Sequence, residues 1–367
     1  MGLWRRSVES LVVTPARPDL AFWRGRRVLV TGHTGFKGAW LCYWLTRMGA
    51  RVVGLALAPN TNPNLFSEAG LGSCVESLTL DIRDLEATRR GIVGANPEIV
   101  FHLAAQPLVL RSYEAPIETF STNVLGTAHV LESLRDLPEV KVGVMITTDK
   151  VYANREWVYP YREDDALGGH DPYSASKAAC EIVISSYRSS FLRERGVAVA
   201  SARAGNVIGG GDWSADRLIP DIAQAWERGD SVRIRRPDSV RPWQHVLEPL
   251  CGYLVLAERL AADSNLADAY NFGPESQDLA PVRSIVECAR RAYPDARVEF
   301  DANPSAPHEA GLLSLEIAKA KAALGLAPRW GLDAAIKRTM EWYRAFYAGK
   351  AGDVLCERDI SAFMGEA

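Results

Sequence analysis

The sequence predicts an α/β protein: a Rossmann-type, doubly wound parallel sheet with a smaller C-terminal α/β lobe. Three observations lead there. Short, continuously apolar strands alternate with helical segments through the first half of the chain, the pattern of a parallel sheet covered on both faces. A glycine-rich turn joins the first strand to the first long helix, as dinucleotide-binding folds require. Beyond about Gly209 the alternation gives way to short mixed elements rich in Gly, Pro, Trp and Arg.

The elements follow in order. Arg27 to Thr31 is a β-branched run that ends at glycine, and Ala39 to Met48 forms the helix behind the turn, closed by Gly49. Val52 to Leu57 reads as the second strand; further strands are expected at Leu78 to Leu80, Ile99 to Leu103, Val142 to Thr147 and Val197 to Arg203. Helices are expected between them, at Leu85 to Val93 and Ile117 to Leu134. The Pro- and Gly-rich stretches Pro59 to Pro63 and Asp301 to His308 read as functional loops. Residues 1–21 then form an N-terminal extension. Residues 22–208 form a dinucleotide-binding domain to which later segments return, and 209–367 are mainly a substrate lobe.

Composition narrows the function. At 367 residues the chain has room for two units of roughly 150 residues. Its 47% hydrophobic and 24% charged fractions are those of an ordinary globular protein. A net charge of −3 excludes a general nucleic-acid binder. No apolar run reaches the ~20 residues of a membrane helix, and Leu11 to Val13 is too short for a signal-peptide core. The six cysteines are scattered, with no C-x-x-C pair and no histidines beside them, so no metal site is expected and the cytoplasm is the default compartment. No nucleic-acid or membrane partner is expected.

Two motifs carry chemistry. Gly32-x-x-Gly35-x-x-Gly38 sits between strand and helix, where glycines let the backbone approach a pyrophosphate seated on the helix N-terminus. An acidic residue is expected near the end of the second strand to hold the adenosine ribose. Ala58, Pro59 and Asn60 stand there instead, which leaves NAD against NADP open. The second motif is Tyr173-x-x-x-Lys177 at a helix start. Four residues apart, both side chains share one face. An ammonium beside the phenol favours phenolate, drawing its pKa from about 10 toward neutrality, so the tyrosine can take a proton from a sugar hydroxyl as hydride leaves the same carbon. Thr147-Thr148, at the end of the preceding strand, adds a hydroxyl.

The glycine spacing, His102-Leu103-Ala104-Ala105, Asn123-Val124, Thr148-Asp149 and Tyr173-x-x-x-Lys177 together resemble the extended short-chain dehydrogenase/reductase family of nucleotide-sugar enzymes. The longer strings TGHTGFKGAWL from Thr31, FHLAAQPLV from Phe101, TDKVYANREW from Thr148, ARAGNVIGGGDW from Ala202 and RPWQHVLEPL from Arg241 are similar to its branch that dehydrates CDP-hexoses at C4 and C6. The resemblance runs from about Phe22 to Met364. It implies bound NAD, a CDP-hexose substrate and three steps: oxidation at C4, loss of water across C5 and C6, and reduction at C6. It also implies a place in deoxysugar synthesis such as that of O-antigen, and a homodimer or dimer of dimers. The alternatives are another nucleotide-sugar dehydratase or a 4-epimerase. An epimerase needs no acid–base pair beside the tyrosine, so Asp149-Lys150 argues for dehydration. A non-catalytic sensor would have lost Tyr173 or Lys177.

By position, the resemblance makes Tyr173 the C4 base, Lys177 its activator and ribose anchor, Thr148 its hydroxyl partner and Asp149 the acid for the leaving hydroxyl. Lys150 stands where dTDP-glucose dehydratases carry a glutamate base. Two readings stay open for it: an amine desolvated enough to accept the C5 proton, or a fixed charge that stabilises the enolate. Gly32, His33, Thr34, Gly35, Phe36, Gly38, Asp81, Ile82, Leu103, Ala104, Ala105 and Asn123 are implied on the cofactor, and Gln106, Arg203, Asn206, Arg217, Arg235, Arg241 and His308 on the substrate. His245 reads as a structural hydrogen-bonder. Trp157, Trp213, Trp243 and Trp330 either contact the nucleotide or wedge the lobes together.

Overall fold

Seven strands form the central sheet of the computed structural model, which describes residues 15–301 and 311–366. They are β1 (Arg27–Thr31), β2 (Arg51–Ala56), β3 (Glu76–Thr79), β4 (Ile99–His102), β5 (Val142–Ile146), β6 (Ala198–Ala204) and β7 (Ala269–Phe272). Their order is β7-β6-β5-β4-β1-β2-β3, every pair parallel. The expected strands are all present, with ends displaced by a few residues. Successive side chains point to opposite faces. Val28 and Val30 therefore pack with Trp40 and Trp44 on one side, while Leu29 packs with Val130 and Leu131 on the other. Both faces are covered, which explains the unbroken apolar runs.

The flanking helices include α1 (Phe36–Arg47), α2 (Leu85–Ala95), α3 (116–134), α4 (Pro172–Tyr187), α5 (Leu247–Ala262) and α6 (Leu332–Tyr347). Local chemistry starts and stops them. Asp84 caps α2 by accepting from Ala87 N, and Asn96 ends it in a left-handed conformation. Asp171 caps α4 through Ser174 N, with Pro172 at its first position. Helix α3 is continuous but contains a π-turn, Ser121–Leu125, between Pro116–Phe120 and Gly126–Leu134. Apolar spacing alone carried no sign of that extra residue.

Strand order reverses between β1 and β4, and a crevice opens at their carboxyl ends. Among the described residues the remaining strands form three two-stranded ladders: Asn206–Ile208 with Trp243–His245, Val240–Arg241 with Ala280–Pro281, and Val232–Ile234 with Val298–Phe300. Between them the chain returns to the main sheet through α5 and β7. From Pro15 onward the N-terminal segment is docked: Arg329 Nη2 donates to the carbonyls of Pro15 and Ala16, each at 3.0 Å. No described helix is long and apolar enough to cross a membrane.

Much of the tryptophan surplus is core. Trp23, Trp40, Trp44 and Trp342 are fully buried. Trp342, on α6, stacks on Phe346 at 5.4 Å and meets the edge of Trp213 at 6.0 Å. It fills the space beneath Gly210, where a Cβ would lie only 1.9 Å from its ring. This stack supports the loop after Ile208 that forms one wall of the crevice. Trp342→Ala should therefore lower stability by about 3–5 kcal/mol, read as a lower urea midpoint. A loss below about 1 kcal/mol would show that the stack does not hold the fold.

Candidate active site

The glycine turn packs tightly against the end of β4. Gly32 has φ +74°, and a Cβ on it would lie 2.7 Å from Ala104 N; one on Gly38 would lie 2.1 Å from the Gly32 carbonyl. Gly35, the N-cap of α1, offers no side-chain cap. The first-turn N–H groups of α1 are thus left for an anion at the positive end of the helix. This backbone cradle fits a dinucleotide pyrophosphate. It forms one end of a cleft of about 1420 Å³ that runs past the ends of β1, β4 and β5 into the second lobe.

The ends of β5 and α4 bring the next group together. Lys177 Nζ donates to the Ile146 carbonyl at 3.3 Å. The Tyr173 phenol lies beside the Thr148 hydroxyl. Burial pushes the phenol up to about 12, away from the near-neutral value expected, and the neighbouring Thr148 hydroxyl works against that rise; burial also lowers the Lys177 amine. Thr148 Oγ1 donates to Asp149 Oδ1 at 2.9 Å. Asp149 is 1% exposed, and its Oδ2 has no hydrogen-bond partner among the described residues. An orphaned buried acceptor beside a cleft is costly unless something fills it, and a substrate hydroxyl fits. Lys150 Nζ lies 3.8 Å from Asp149 Oδ1, its side chain 30% exposed.

Behind this face lies a buried network that the motifs do not include. Glu181, one turn beyond Lys177 on α4, accepts from Thr147 Oγ1, from Ser201 Oγ at 2.7 Å and from Arg203 Nη2 at 2.8 Å. Arg203 Nη1 donates to Tyr152 OH and to the Glu163 carbonyl, both at 2.9 Å. Tyr152 OH donates in turn to Asn271 Oδ1 at 2.6 Å. One ion pair thereby ties α4, the Thr148–Tyr152 turn, β6 and β7 together.

Several expected ligands have other duties. Arg203 is 4% exposed and absent from the cleft wall; Glu181 holds its guanidinium, so it does not reach a substrate diphosphate. His33 turns into the sheet, where its Nε2 bonds Ser77 Oγ at 2.7 Å. Its ring fills the space above Gly54, and burial lowers its pKa to about 4. Asn123, 1% exposed in the π-turn, accepts from Gln106 N at 2.8 Å and donates to Ser176 Oγ at 2.8 Å. It shapes the loop after β4 and is not exposed to the cleft. Gln106 lines the cleft, but its amide bonds the Leu108 backbone and Thr119 Oγ1 instead of pointing free toward a sugar. His308 lies outside the described residues.

The other expected residues border the cleft. Gly32, Thr34, Gly35, Phe36 and Gly38 lie at its dinucleotide end, followed by Asp81, Ile82 and Leu103 to Ala105. Asn206, Arg217, Arg235 and Arg241 lie at the far end. Arg217 is held by Asp212 at 2.8 Å, Arg235 lies 3.6 Å from Asp216, and Arg241 donates to the Val240 carbonyl at 2.9 Å. Trp213 and Trp243 border the cleft; Trp157 instead stacks on Tyr161 at 5.3 Å, and Trp330 packs on His245 at 4.8 Å. His245 is fully buried, as a structural histidine should be.

One site residue escaped the sequence reading. Lys37, within the glycine motif, reaches the same cleft and donates to Tyr253 OH at 3.4 Å. Burial lowers its amine to about 7, and the nearby Arg217 and Lys177 charges add to the fall. The available signal was a lone cation in the otherwise apolar run FKGAWLCYWL.

Comparison with known proteins agrees with this geometry. Residues 29–339 match the family described as GDP-mannose 4,6 dehydratase. The CDP-glucose 4,6-dehydratase of Salmonella typhimurium is 49% identical over 94% of this chain and 98% of that protein. The dTDP-glucose 4,6-dehydratase of Xanthomonas campestris is 26% identical over 86% of this chain and 92% of its own. Among solved structures, the UDP-glucose 4-epimerase of Thermus thermophilus in complex with NAD has a TM-score of 0.73 at 27% identity, covering 87% of this chain and 99% of that one. That of Stenotrophomonas maltophila reaches 0.78 at 22% identity, covering 89% and 100%, and shows the same fold. The chain belongs to the GDP-mannose 4,6-dehydratase family, within the NAD-dependent epimerases and dehydratases of the short-chain dehydrogenase/reductase group.

Proposed function

We propose that this protein is a CDP-glucose 4,6-dehydratase that uses NAD to make the 4-keto-6-deoxy sugar. The observation that carries the reading is the Asp149–Lys150 pair beside Tyr173, with Asp149 Oδ2 buried and unengaged. Epimerisation at C4 needs the tyrosine alone; loss of water needs a further proton donor. The identity with the Salmonella enzyme over nearly the whole chain supports the CDP-hexose branch.

In this reading the glycine turn binds the pyrophosphate and Lys177 anchors the ribose. When bound, NAD supplies the acceptor for the C4 hydride and its later return to C6. Tyr173 takes the C4 hydroxyl proton; burial opposes its ionisation and the nearby Arg217 charge favours it. The C4 ketone then makes the C5 proton acidic. Asp149, ionised beside the Lys150 ammonium, takes the C5 proton at its unengaged Oδ2 and returns it to the departing C6 hydroxyl, which leaves as water. An ammonium held beside a carboxylate suits the electrostatic role for Lys150, with the enolate oxygen as its target. Arg235 and Arg241 offer guanidinium groups to the substrate diphosphate, with Arg217 and Asn206 nearby. The domain division at about residue 208 follows the same logic: dinucleotide before it, nucleotide sugar mainly after it.

A homodimer fits the exposed apolar side chains on neighbouring helices α3 and α4. Ile117 is 79% exposed, Leu125 54% and Ile182 61%, apolar side chains that a partner subunit would cover. The six unpaired cysteines suit a cytoplasmic enzyme.

Three experiments test these points. Given CDP-, dTDP-, UDP- and GDP-glucose, the protein should form 4-keto product fastest from the CDP sugar; a 4-epimer product, or no ketone from any of them, would sink the dehydratase reading. Lys150→Met should slow exchange of the C5 proton with solvent by about 10²–10³-fold yet leave it measurable, whereas complete loss would make the amine itself the base. Light scattering should report a dimer, converted to monomer by Ile117→Glu with Ile182→Glu; a monomeric unmodified chain would refute the proposed interface.

A further inference from the structure

His102, the last residue of β4, lies between the two halves of the site without reaching the cleft: it is 3% exposed and absent from the cleft wall. Both ring nitrogens are engaged. Nδ1 lies 2.7 Å from Thr31 Oγ1 at the end of β1, and Nε2 lies 3.0 Å from Thr127 Oγ1 on α3. Either contact could run in two directions, and the Thr31 hydroxyl decides between them. It already accepts from Leu103 N and Ala104 N, both at 3.1 Å, which takes up its two lone pairs. Its proton therefore goes to Nδ1. A neutral ring that accepts at Nδ1 carries its own proton on Nε2, so His102 donates to Thr127.

The same direction continues beyond the ring. The Thr127 hydroxyl donates to Cys180 Sγ at 3.6 Å, and the Cys180 thiol donates to the Asn123 carbonyl at 3.1 Å. The Asn123 side chain accepts from Gln106 N at 2.8 Å and donates to Ser176 Oγ, whose own proton goes to the Tyr173 carbonyl at 2.7 Å. An imidazolium would break this order, because both nitrogens would donate and the buried Thr31 proton would lose its acceptor. Burial lowers the His102 pKa to about 3, and the Lys177 charge adds to the fall, so the ring stays neutral. Two parts of the cleft depend on this chain of bonds. The Thr31 hydroxyl fixes the backbone of Leu103 and Ala104, which line the cleft. Ser176 and Cys180 belong to α4, which carries Tyr173 and Lys177.

We propose that His102 is a positioning residue for the reaction: fixed as the Nε2–H tautomer, it passes a single hydrogen-bond direction from Thr31 to Thr127 and so locks the cleft-wall residues 103–106 to the helix that bears Tyr173 and Lys177. The inference rests on the catalytic reading of Tyr173 and Lys177, but its first readout needs no turnover. In the full chain with isotope-labelled histidine, His102 is assigned by the signals lost in His102→Asn. Long-range proton–nitrogen spectra should show a neutral Nε2–H ring that does not change between about pH 8 and about pH 5.5, a span over which an ordinary histidine charges. An Nδ1–H tautomer, or a ring that takes up a proton in that span, would overturn the proposal. Thr127→Val removes the acceptor with little change of shape, and should lower kcat for CDP-glucose about ten-fold. KM and the NAD dissociation constant should stay within about three-fold. Thr127→Ser keeps the hydroxyl and should restore the rate. Unchanged turnover in Thr127→Val, or an equal loss in Thr127→Ser, would also overturn it. If the unmodified chain does not turn over CDP-glucose, the proposed function falls, and the tautomer alone decides this inference.

Discussion

The arrangement of the cleft depends on one buried ion pair, Glu181 with Arg203. Both side chains are almost fully enclosed, so each charge is tolerable only while the other is present and their remaining hydrogen bonds are made. Glu181 uses its oxygens on Thr147 just past β5, on Ser201 of β6 and on Arg203; Arg203 uses its nitrogens on Glu181, Tyr152 and the Glu163 backbone. The consequence is geometric. Helix α4 can sit against the sheet in one register only, and that register sets Tyr173 against Thr148 and Lys177 against the β5 carbonyl. Replacing the pair by apolar residues would save desolvation but would lose this directional constraint.

Around that anchor the electrostatics of the cleft is lopsided. Lys37, Lys177, Lys150 and Arg217 converge near two buried carboxylates, Asp149 and Asp212. Such an assembly suits chemistry in which negative charge develops on oxygen, first at a phenolate and then at an enolate. It also suits two ligands that each bring a diphosphate. The overall charge of −3 conceals this, because the cations are concentrated where the strands end and surface carboxylates balance them elsewhere.

The fold and the centre of the site were largely legible in the sequence. Gly32, Gly35 and Gly38 are dictated by close backbone approach, and Tyr173 with Lys177 by helical spacing; both constraints are local and leave a pattern. Arg203, Asn123 and His33 were misread for the opposite reason. They stand in strings that resemble the family as strongly as the ligand-facing residues do, yet their side chains point away from the cleft. Which side of a strand end or helix a polar group faces is set by tertiary packing: Glu181 beneath β6, the π-turn in α3, the open space over Gly54. Lys37 was missed because a single cation among glycines carries no periodic signature. Trp157 and Trp330 show the same limit, since a tryptophan beside a ligand and one in a core look alike in a string.

The Glu181–Arg203 pair acts on the reacting groups through their position, behind the cleft wall. The most direct measurement is steady-state turnover of CDP-glucose by Glu181→Gln, alongside its NAD dissociation constant. Misplacement of the α4 face by a fraction of an ångström to 1 Å should cost about 100-fold in kcat, with NAD affinity changed by less than about three-fold. Turnover at the unmodified rate would show that the ion pair does not set the positions of Tyr173 and Lys177.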